Sequence, residues 1–160
     1  MENNLIPKYR YLTEEELKHF DKDFKHFLIV NHVYKEEWEK LTQSEPEKAL
    51  KLVALFSDQV LQRVYEKINY LEKRTKDSCF VFRFTKTHQE LIIIQAKSDD
   101  IDLSTPESIH ENLKNNIQKL DFFRSTKNFN KTKEEEIHLL LEQGTVLSSK
   151  EFWDLLEKAI

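Results

Sequence analysis

Histidine and carboxylate side chains recur at helical spacing near the start of the chain, in a pattern that could bind a metal ion. His19, Asp23 and His26 are four and three residues apart, so a single helix would place them on one face. The apolar residues of that segment, beginning with Leu17 and Phe20, fall on the opposite side and would face the core. We therefore expect the three polar side chains to be solvated, without the dry surroundings of a good metal site, and we predict no metal ligand.

A second pattern could bind an anionic partner. Residues 114–133, KNNIQKLDFFRSTKNFNKTK, contain six Lys or Arg, one Asp and three Phe. Cations that contact phosphates and rings that stack on bases are typical of proteins that bind single-stranded RNA. The plainer interpretation is a charged face of the fold with its phenylalanines in the core. The candidate anionic-partner surface consists of Lys114, Lys119, Arg124, Lys127, Lys131 and Lys133.

The residue types needed for several common chemistries are missing. Gly144 is the only glycine, which excludes a Gly-rich phosphate loop and a dinucleotide fingerprint, because both need several glycines. Cys79 is the only cysteine, so the chain has no paired-cysteine zinc motif and no intramolecular disulfide. The remaining histidines are scattered. We predict no catalytic or cofactor-binding residue and no cofactor, and an enzyme of unrecognised type is the least favoured alternative.

Composition limits the class of protein. The chain has 160 residues, of which 34% are charged, and its formal net charge is −4. This length predicts one domain over residues 1–160, in which residues 1–12 could be a flexible N-terminal segment. The start of the chain resembles no export signal and the longest apolar run is far too short to span a membrane, so we expect a cytoplasmic protein.

Helix starts are marked by capping boxes, in which a Ser or Thr and a Glu three residues later each satisfy a free backbone N–H. Four such pairs lie at predicted helix starts: Thr13 and Glu16, Ser44 and Glu47, Thr132 and Glu135, and Ser148 and Glu151. They predict helices over residues 14–30, 46–74, 133–143 and 149–159. Two shorter helices are expected over residues 35–42 and from Pro106 onward.

The long helix is predicted to be apolar on two sides. Its core stripe includes Leu50, Val53, Ala54, Val60, Leu61, Val64, Ile68 and Leu71, while Leu52, Leu55 and Phe56 point away from that stripe. Either other helices cover these three residues or they form a protein interface. Ser57 lies within the stripe, where a serine usually bonds a carbonyl one turn back. Its alternative role is to line a pocket.

Strand-forming residues cluster in the middle of the chain. Residues 79–84 and 91–96 are rich in aromatic and β-branched types and are separated by a polar stretch, which predicts a β-hairpin. Because a lone hairpin is marginally stable, we expect further strands at residues 120–124 and 145–147. The predicted fold is α+β and mostly helical, with about six helices packed on a small antiparallel sheet built around one hairpin.

Three stretches also resemble a known family. They are KYRYLTEEEL at residues 8–17, FSDQVLQRVYEKINYLEKR at residues 56–74, and TVLSS at residues 145–149 directly after Gly144. They resemble an uncharacterised family of small Bacteroidota proteins classed as a domain of unknown function, over nearly the whole chain. In that family an Arg-Glu pair opens the penultimate helix, where this chain has Lys133 and Glu134. The resemblance implies a bacterial cytoplasmic protein and supplies no activity, cofactor or site.

Two hypotheses from different classes follow. The first is a non-catalytic protein-interaction or regulatory module that contacts another protein, or itself as a homodimer, through Leu52, Leu55 and Phe56. The second is an RNA-associated or ribosome-associated protein that uses the basic residues of segment 114–133. Membrane association is not expected for either.

Overall fold

The computed structural model describes residues 6–160, and the chain divides into two compact units, residues 1–64 and residues 65–160. The described residues form seven α-helices and a five-stranded antiparallel sheet, which confirms the predicted α+β class and the hairpin at its centre. The prediction of a single domain stays a prediction.

Four helices build the first unit: α1 (Glu14–His19), α2 (Asp21–Val30), α3 (Lys35–Ser44) and α4 (Pro46–Glu66), whose last turn continues past residue 64. The helix predicted over residues 14–30 is interrupted at Phe20, whose ψ of 24° departs from the helical value near −42°. His19 therefore lies on α1, while Asp23 and His26 lie on α2. All three side chains are exposed, as expected.

An aromatic cluster forms part of the core of this unit. Phe24 of α2 packs against Trp38 of α3 and Phe56 of α4, with ring centroids 5.3 and 5.0 Å apart, and Phe27 lies 5.4 Å from Phe56. Phe56 is only 4% exposed. The apolar back of α4 is thus covered by another helix at Phe56, so this residue is not available as part of an exposed interface.

The other residues of α4 that were assigned to the core stripe or to the interface differ in their burial. Leu52 is half-buried and Leu55 is 46% exposed, so Leu55 is the most accessible residue of the predicted interface. Leu50 and Val64, which were assigned to the core stripe, are exposed by 46% and 43%. Those two assignments were wrong.

The N-terminal segment is attached to α4 by two neighbouring side chains. Asp58 accepts hydrogen bonds from the backbone N–H groups of Lys8 and Tyr9, at 2.7 and 2.9 Å. The fully buried Ser57 accepts one from the N–H of Leu12, at 3.0 Å. Ser57 thus holds a distant segment, a use that its local environment in the sequence did not indicate. Residues 8–12 are anchored, and residues 1–5 of the predicted flexible segment lie outside the described residues.

The second unit contains the sheet, in the strand order β4-β3-β2-β1-β5. Its elements are β1 (Tyr70–Arg74), β2 (Ser78–Phe84), β3 (His88–Ala96), α5 (Pro106–Asn115), β4 (Leu120–Asn128), α6 (Lys133–Glu142), β5 (Val146–Leu147) and α7 (Lys150–Ala159). The predicted hairpin, third strand and short last strand are confirmed. The prediction that α4 continues to residue 74 was wrong, because residues 70–74 form β1, which bonds β2 on one side and β5 on the other.

The main core of this unit lies on one face of the sheet. Strand residues that share this face, including Val81 and Ile92, cluster with Ile109 of α5 and with Trp153 and Leu156 of α7, and all five are fully buried. The two adjacent phenylalanines of β4 separate as strand alternation requires. Phe122 packs against this core, whereas Phe123 on the opposite face is 55% exposed.

Two of the four predicted capping positions differ in the structure. Thr13 with Glu16 forms a complete box, and the Thr132 side chain accepts the N–H of Glu135. At α7 the cap is Ser149 rather than Ser148, and it accepts the N–H of Phe152. Ser44 ends α3, and its hydroxyl donates to the carbonyl of Lys40, so it does not cap α4.

The burial difference between Phe56 and its neighbour Leu55 predicts different costs of truncation. Phe56→Ala should lower the free energy of unfolding by about 3–5 kcal/mol, because it removes a ring from a packed cluster. Leu55→Ala should cost less than about 1 kcal/mol, because an exposed side chain loses few contacts. Urea denaturation followed by circular dichroism measures both, and equal losses would contradict the assigned burial of Phe56.

Glu16 predicts a pH-dependent contribution to stability. Arg10 donates hydrogen bonds of 2.7 and 3.0 Å to its two carboxylate oxygens and lowers the pKa of Glu16 from 4.5 to about 2. Because folding lowers this pKa, the ionised group stabilises the fold above pH 4.5, and this contribution disappears as the pH falls toward 2. Glu16→Gln should therefore be less stable than the wild-type chain near neutral pH and nearly equal to it at the acid end of that range. A constant difference in thermal midpoint across these pH values would contradict the pairing.

Candidate binding cleft

A cleft of about 520 Å³ opens in the second unit, beside the end of the sheet where β5 lies. Binding sites for small ligands and for single side chains fall in this size range, roughly 300–1,000 Å³. Strand β1, helix α5, the turn after β5 and helix α7 supply its walls. The lining residues are Glu72, Arg74, Pro106, His110, Leu147, Ser148, Ser149, Glu151, Phe152 and Leu155.

A buried ion pair forms the floor of this cleft. Glu72 and Arg74 alternate along β1 on the same face, and Arg74 Nε contacts Glu72 Oε2. The side chains are only 8% and 16% exposed. The Arg74 guanidinium also lies 5.0 Å from the centre of the Phe152 ring, a distance at which a cation and an aromatic face attract.

The hydrogen bonding of the Arg74 Nε–H group is incomplete. Its Nε lies within ion-pair distance of Glu72, yet no acceptor is aligned with the Nε–H group. Buried donors in proteins are almost always paired, because an unpaired one costs about 1–3 kcal/mol. This Nε–H group is held by the ion pair with Glu72 and is shielded from solvent.

Two adjacent serines at the mouth of the cleft have different roles. Ser149 caps α7, so its oxygen is occupied by the N–H of Phe152 at 3.1 Å. The Ser148 hydroxyl is buried and has no hydrogen-bond partner. Neither hydroxyl is bonded to His110, the one histidine among the lining residues. Within the described cleft, these serines therefore lack the base that would make them nucleophiles.

The short strand β5 forms one rim of the cleft and presents its backbone outward. Its two residues, Val146 and Leu147, are 59% and 67% exposed. The N–H of Ser148 donates to the carbonyl of Tyr70, and antiparallel pairs alternate in their bonding, so the N–H and C=O of Leu147 point away from β1. An extended segment from outside could bond to them.

Several of the basic residues predicted to bind an anionic partner are used within the chain. Lys119 forms an ion pair of 2.6 Å with Asp100 and, together with the Ser98 hydroxyl, lowers the pKa of that carboxyl to about 2. Arg124 contacts Glu157 at 3.0 Å and Glu90 at 3.5 Å. Lys133 donates to the Glu66 carbonyl and to Asn69. Lys114, Lys127 and Lys131 are exposed.

The thiol of Cys79 is fully buried in the sheet core, and burial raises its pKa to about 12. A thiol that stays protonated is a poor nucleophile. Residues 6–160 contain no group of three or more His, Cys, Asp or Glu side chains placed to hold a metal ion. In the same range, no helix combines the length and apolar character needed to cross a membrane.

The polar floor of the cleft was missed because Glu72 and Arg74 lie in the segment that was predicted as helix. Ser148 was identified in the sequence, but as the helix cap. The rim of the cleft was predictable, since residues 145–147 are β-branched or aliphatic and two serines follow them directly before a helix. That composition indicates a short strand followed by an N-cap.

A family model described as "Family of unknown function (DUF6495)" matches residues 6–160. No curated protein and no solved structure matches the chain.

Ser57 and Ser148, whose hydroxyl oxygens are both buried, predict different effects of losing the hydroxyl. Ser57→Ala should lower the free energy of unfolding by about 1–3 kcal/mol, because it leaves the buried N–H of Leu12 without an acceptor. Ser148→Ala should change it by less than about 0.5 kcal/mol, because the hydroxyl it removes has no partner to lose. Chemical denaturation of the two variants provides a matched comparison. A large loss of stability for Ser148→Ala would show that its hydroxyl is paired and not free for a ligand.

Proposed function

The chain belongs to this family of unknown function, DUF6495, and we propose that it is a non-catalytic protein-interaction module of the bacterial cytoplasm. In this proposal the cleft at β5 binds an extended segment of a partner protein. The observation that carries the proposal is a cleft with an apolar wall directly beside an exposed strand edge, where the N–H and C=O of Leu147 point outward.

The backbone of the bound segment would extend the sheet. Strand addition at an open edge uses main-chain hydrogen bonds for affinity and side-chain pockets for selectivity. Leu147 offers one N–H and one C=O to the incoming strand, and the exposed side chains of Val146 and Leu147 offer apolar contact. A single residue provides few main-chain bonds, so the cleft must contribute much of the affinity.

The side chains of the bound segment would be selected by the cleft. Phe152 and Leu155 supply an apolar wall suited to an aliphatic or aromatic side chain. The Arg74 guanidinium lies among the lining residues and supplies a positive charge suited to a carboxylate oxygen. The expected ligand therefore combines an apolar anchor with a nearby acceptor.

The cytoplasmic and non-catalytic parts of the proposal rest on side-chain chemistry. The single cysteine is buried with a raised pKa, which suits a compartment where thiols stay reduced and gives the chain no reactive thiolate. The serines of the cleft lack a hydrogen-bonded base. The bacterial source remains a proposal that rests on the family resemblance.

The RNA hypothesis has weaker support. Three of its six cations, Lys119, Arg124 and Lys133, already bond within the chain. Phe122 packs in the core, so it is not displayed for stacking on a base. Lys114, Lys127 and Lys131 remain exposed, and RNA binding through them stays a prediction.

Peptide selection tests the proposed function directly. Random peptides displayed on phage are selected on the immobilised full-length chain, and the enriched sequences are synthesised and measured by fluorescence anisotropy. Leu147→Glu should weaken their binding by about tenfold or more, equivalent to about 1.4 kcal/mol, because it places a charge on the strand edge and against the apolar wall.

The matched control is Leu139→Glu, which adds the same charge at an exposed leucine of α6 that does not line the cleft. Its affinity should stay within about twofold of wild type, a difference of about 0.4 kcal/mol. Failure to enrich any peptide, or equal losses in the two variants, would overturn the proposal. Enriched sequences without an apolar residue would also count against the cleft as the site.

A further inference from the structure

The opposite edge of the sheet is a long strand that carries no partner strand within the described residues. Strand β4 pairs with β3 along its whole length, from Leu120 opposite Ala96 to Asn128 opposite His88. Residues 123–128 are all exposed. From this edge we infer that the chain forms a homodimer in which β4 pairs antiparallel with β4 of a second copy, which joins the two sheets.

The backbone of β4 is arranged for such pairing. The N–H of Lys97 donates to the carbonyl of Lys119 at 2.8 Å. Because bonding alternates along an antiparallel pair, the odd-numbered residues of β4 are the ones whose N–H and C=O groups bond β3. The even-numbered residues Phe122, Arg124 and Thr126 therefore direct their N–H and C=O groups toward the outer edge. Exposed edges of this kind are templates for pairing with another chain.

Two-fold symmetry limits the possible registers. In a symmetric antiparallel pair, the residue numbers of any two facing residues add up to the same sum. The residues that form backbone hydrogen bonds between the two copies must be even-numbered in both, because only these direct their N–H and C=O groups outward. The register centred on Arg124 pairs every residue from Leu120 to Asn128. Registers shifted by two residues in either direction leave strand residues unpaired.

Charge selects the same register. Centring on Arg124 places Asp121 opposite Lys127 of the second copy, and symmetry produces this ion pair twice. These are non-hydrogen-bonded positions, where facing Cα atoms approach to about 4.5 Å and opposite charges stabilise the pair. Centring on Phe123 instead would place Lys119 opposite Lys127, and centring on Ser125 would place Phe123 opposite Lys127.

The apolar contact in this register involves the exposed face of β4. Phe123, which is 55% exposed, would face Ser125 of the second copy. The two Phe123 rings would be diagonal neighbours, a separation of about 7–8 Å that aromatic side chains can span. The dimer thus removes from solvent a large apolar side chain that the single chain leaves exposed.

The ion pairs that Arg124 and Asp121 already form within the chain are compatible with pairing of two β4 strands. The two Arg124 side chains would meet at the axis, but each lies 5.8 Å from the Trp153 ring centre and is balanced by Glu157 and Glu90. Asp121 contacts Lys97 at 3.3 Å with both side chains 48% exposed. A surface ion pair of this kind contributes only about 0–1 kcal/mol, so Asp121 can also contact a second copy.

Charge exchange at the two ends of β4 tests the homodimer. Analytical ultracentrifugation of the full-length chain should show a monomer–dimer equilibrium. Asp121→Lys and Lys127→Asp should each raise the dimer dissociation constant by about tenfold or more, because each places like charges in facing positions. The double variant, in which the charges are exchanged, should restore the wild-type constant to within about threefold.

A mixture of the two single variants adds a second, independent readout. One variant has lysine at both position 121 and position 127, and the other has aspartate at both, so each repels a copy of itself. Opposite charges face each other only when one chain of each variant forms the dimer. The lysine introduced at position 121 of one chain would then face the aspartate introduced at position 127 of the other, so the mixture should form heterodimers at concentrations where each variant alone is mostly monomeric. Lys114→Asp on α5 is the matched charge control and should leave the equilibrium unchanged. Circular dichroism confirms that each variant is folded.

Other outcomes overturn the inference. A wild-type chain that stays monomeric at millimolar concentration has no such interface. A dimer that survives both single variants, or one that the exchanged double variant does not restore, pairs through a different surface. Because the peptide cleft lies at β5, the failure of either proposal leaves the other intact.

Discussion

The pairing of β1 with strands on both of its sides is the constraint on which the second unit depends. β2 bonds one edge of β1 and β5 bonds the other, so this five-residue strand carries β5 and, through it, the start of α7. The same pairing orients Glu72 and Arg74 toward the cleft. Without β1, the two residues of β5 would have no neighbour and the cleft would lose both its floor and its rim.

This strand is also the element that sequence reasoning misassigned, and the reason is physical. Ile68 and Leu71 continue the helical spacing of α4, and no Gly or Pro marks the end of that helix. The strand forms because it fills a position between β2 and β5, which is a long-range effect that local spacing does not contain. The hairpin, β4 and β5 were predictable because their composition and alternation are local. The interruption at Phe20 was not, since the apolar spacing continues across it.

The candidate surfaces were less predictable from the sequence than the fold, because the sequence pattern assigned charged side chains such as Arg124 to a solvent-exposed surface. Arg83 and Arg124 both lie over the ring of Trp153, with guanidinium groups 4.9 and 5.8 Å from its centre. Trp153 donates a hydrogen bond of 2.6 Å to Glu157, which lowers the pKa of that carboxyl together with the two arginines. Composition alone indicates a basic, aromatic segment, whereas the fold uses Arg124 as a partner of Glu90 and Glu157 over the buried Trp153 ring.

The two edge strands of the sheet differ in how many unpaired backbone N–H and C=O groups they present. β5 is only two residues long, so it offers one outward N–H and C=O, and a neighbouring cleft must supply the rest of any interaction. β4 is nine residues long, so its backbone alone offers several bonds, and in the proposed dimer its charged residues decide which partner fits. Asp121 and Lys127 lie three residues from Arg124 on either side, so opposite charges face each other in the register centred on Arg124, whereas two lysines face each other in the register centred on Phe123. In the two proposals, selectivity would therefore come from side-chain shape at β5 and from the order of charges at β4.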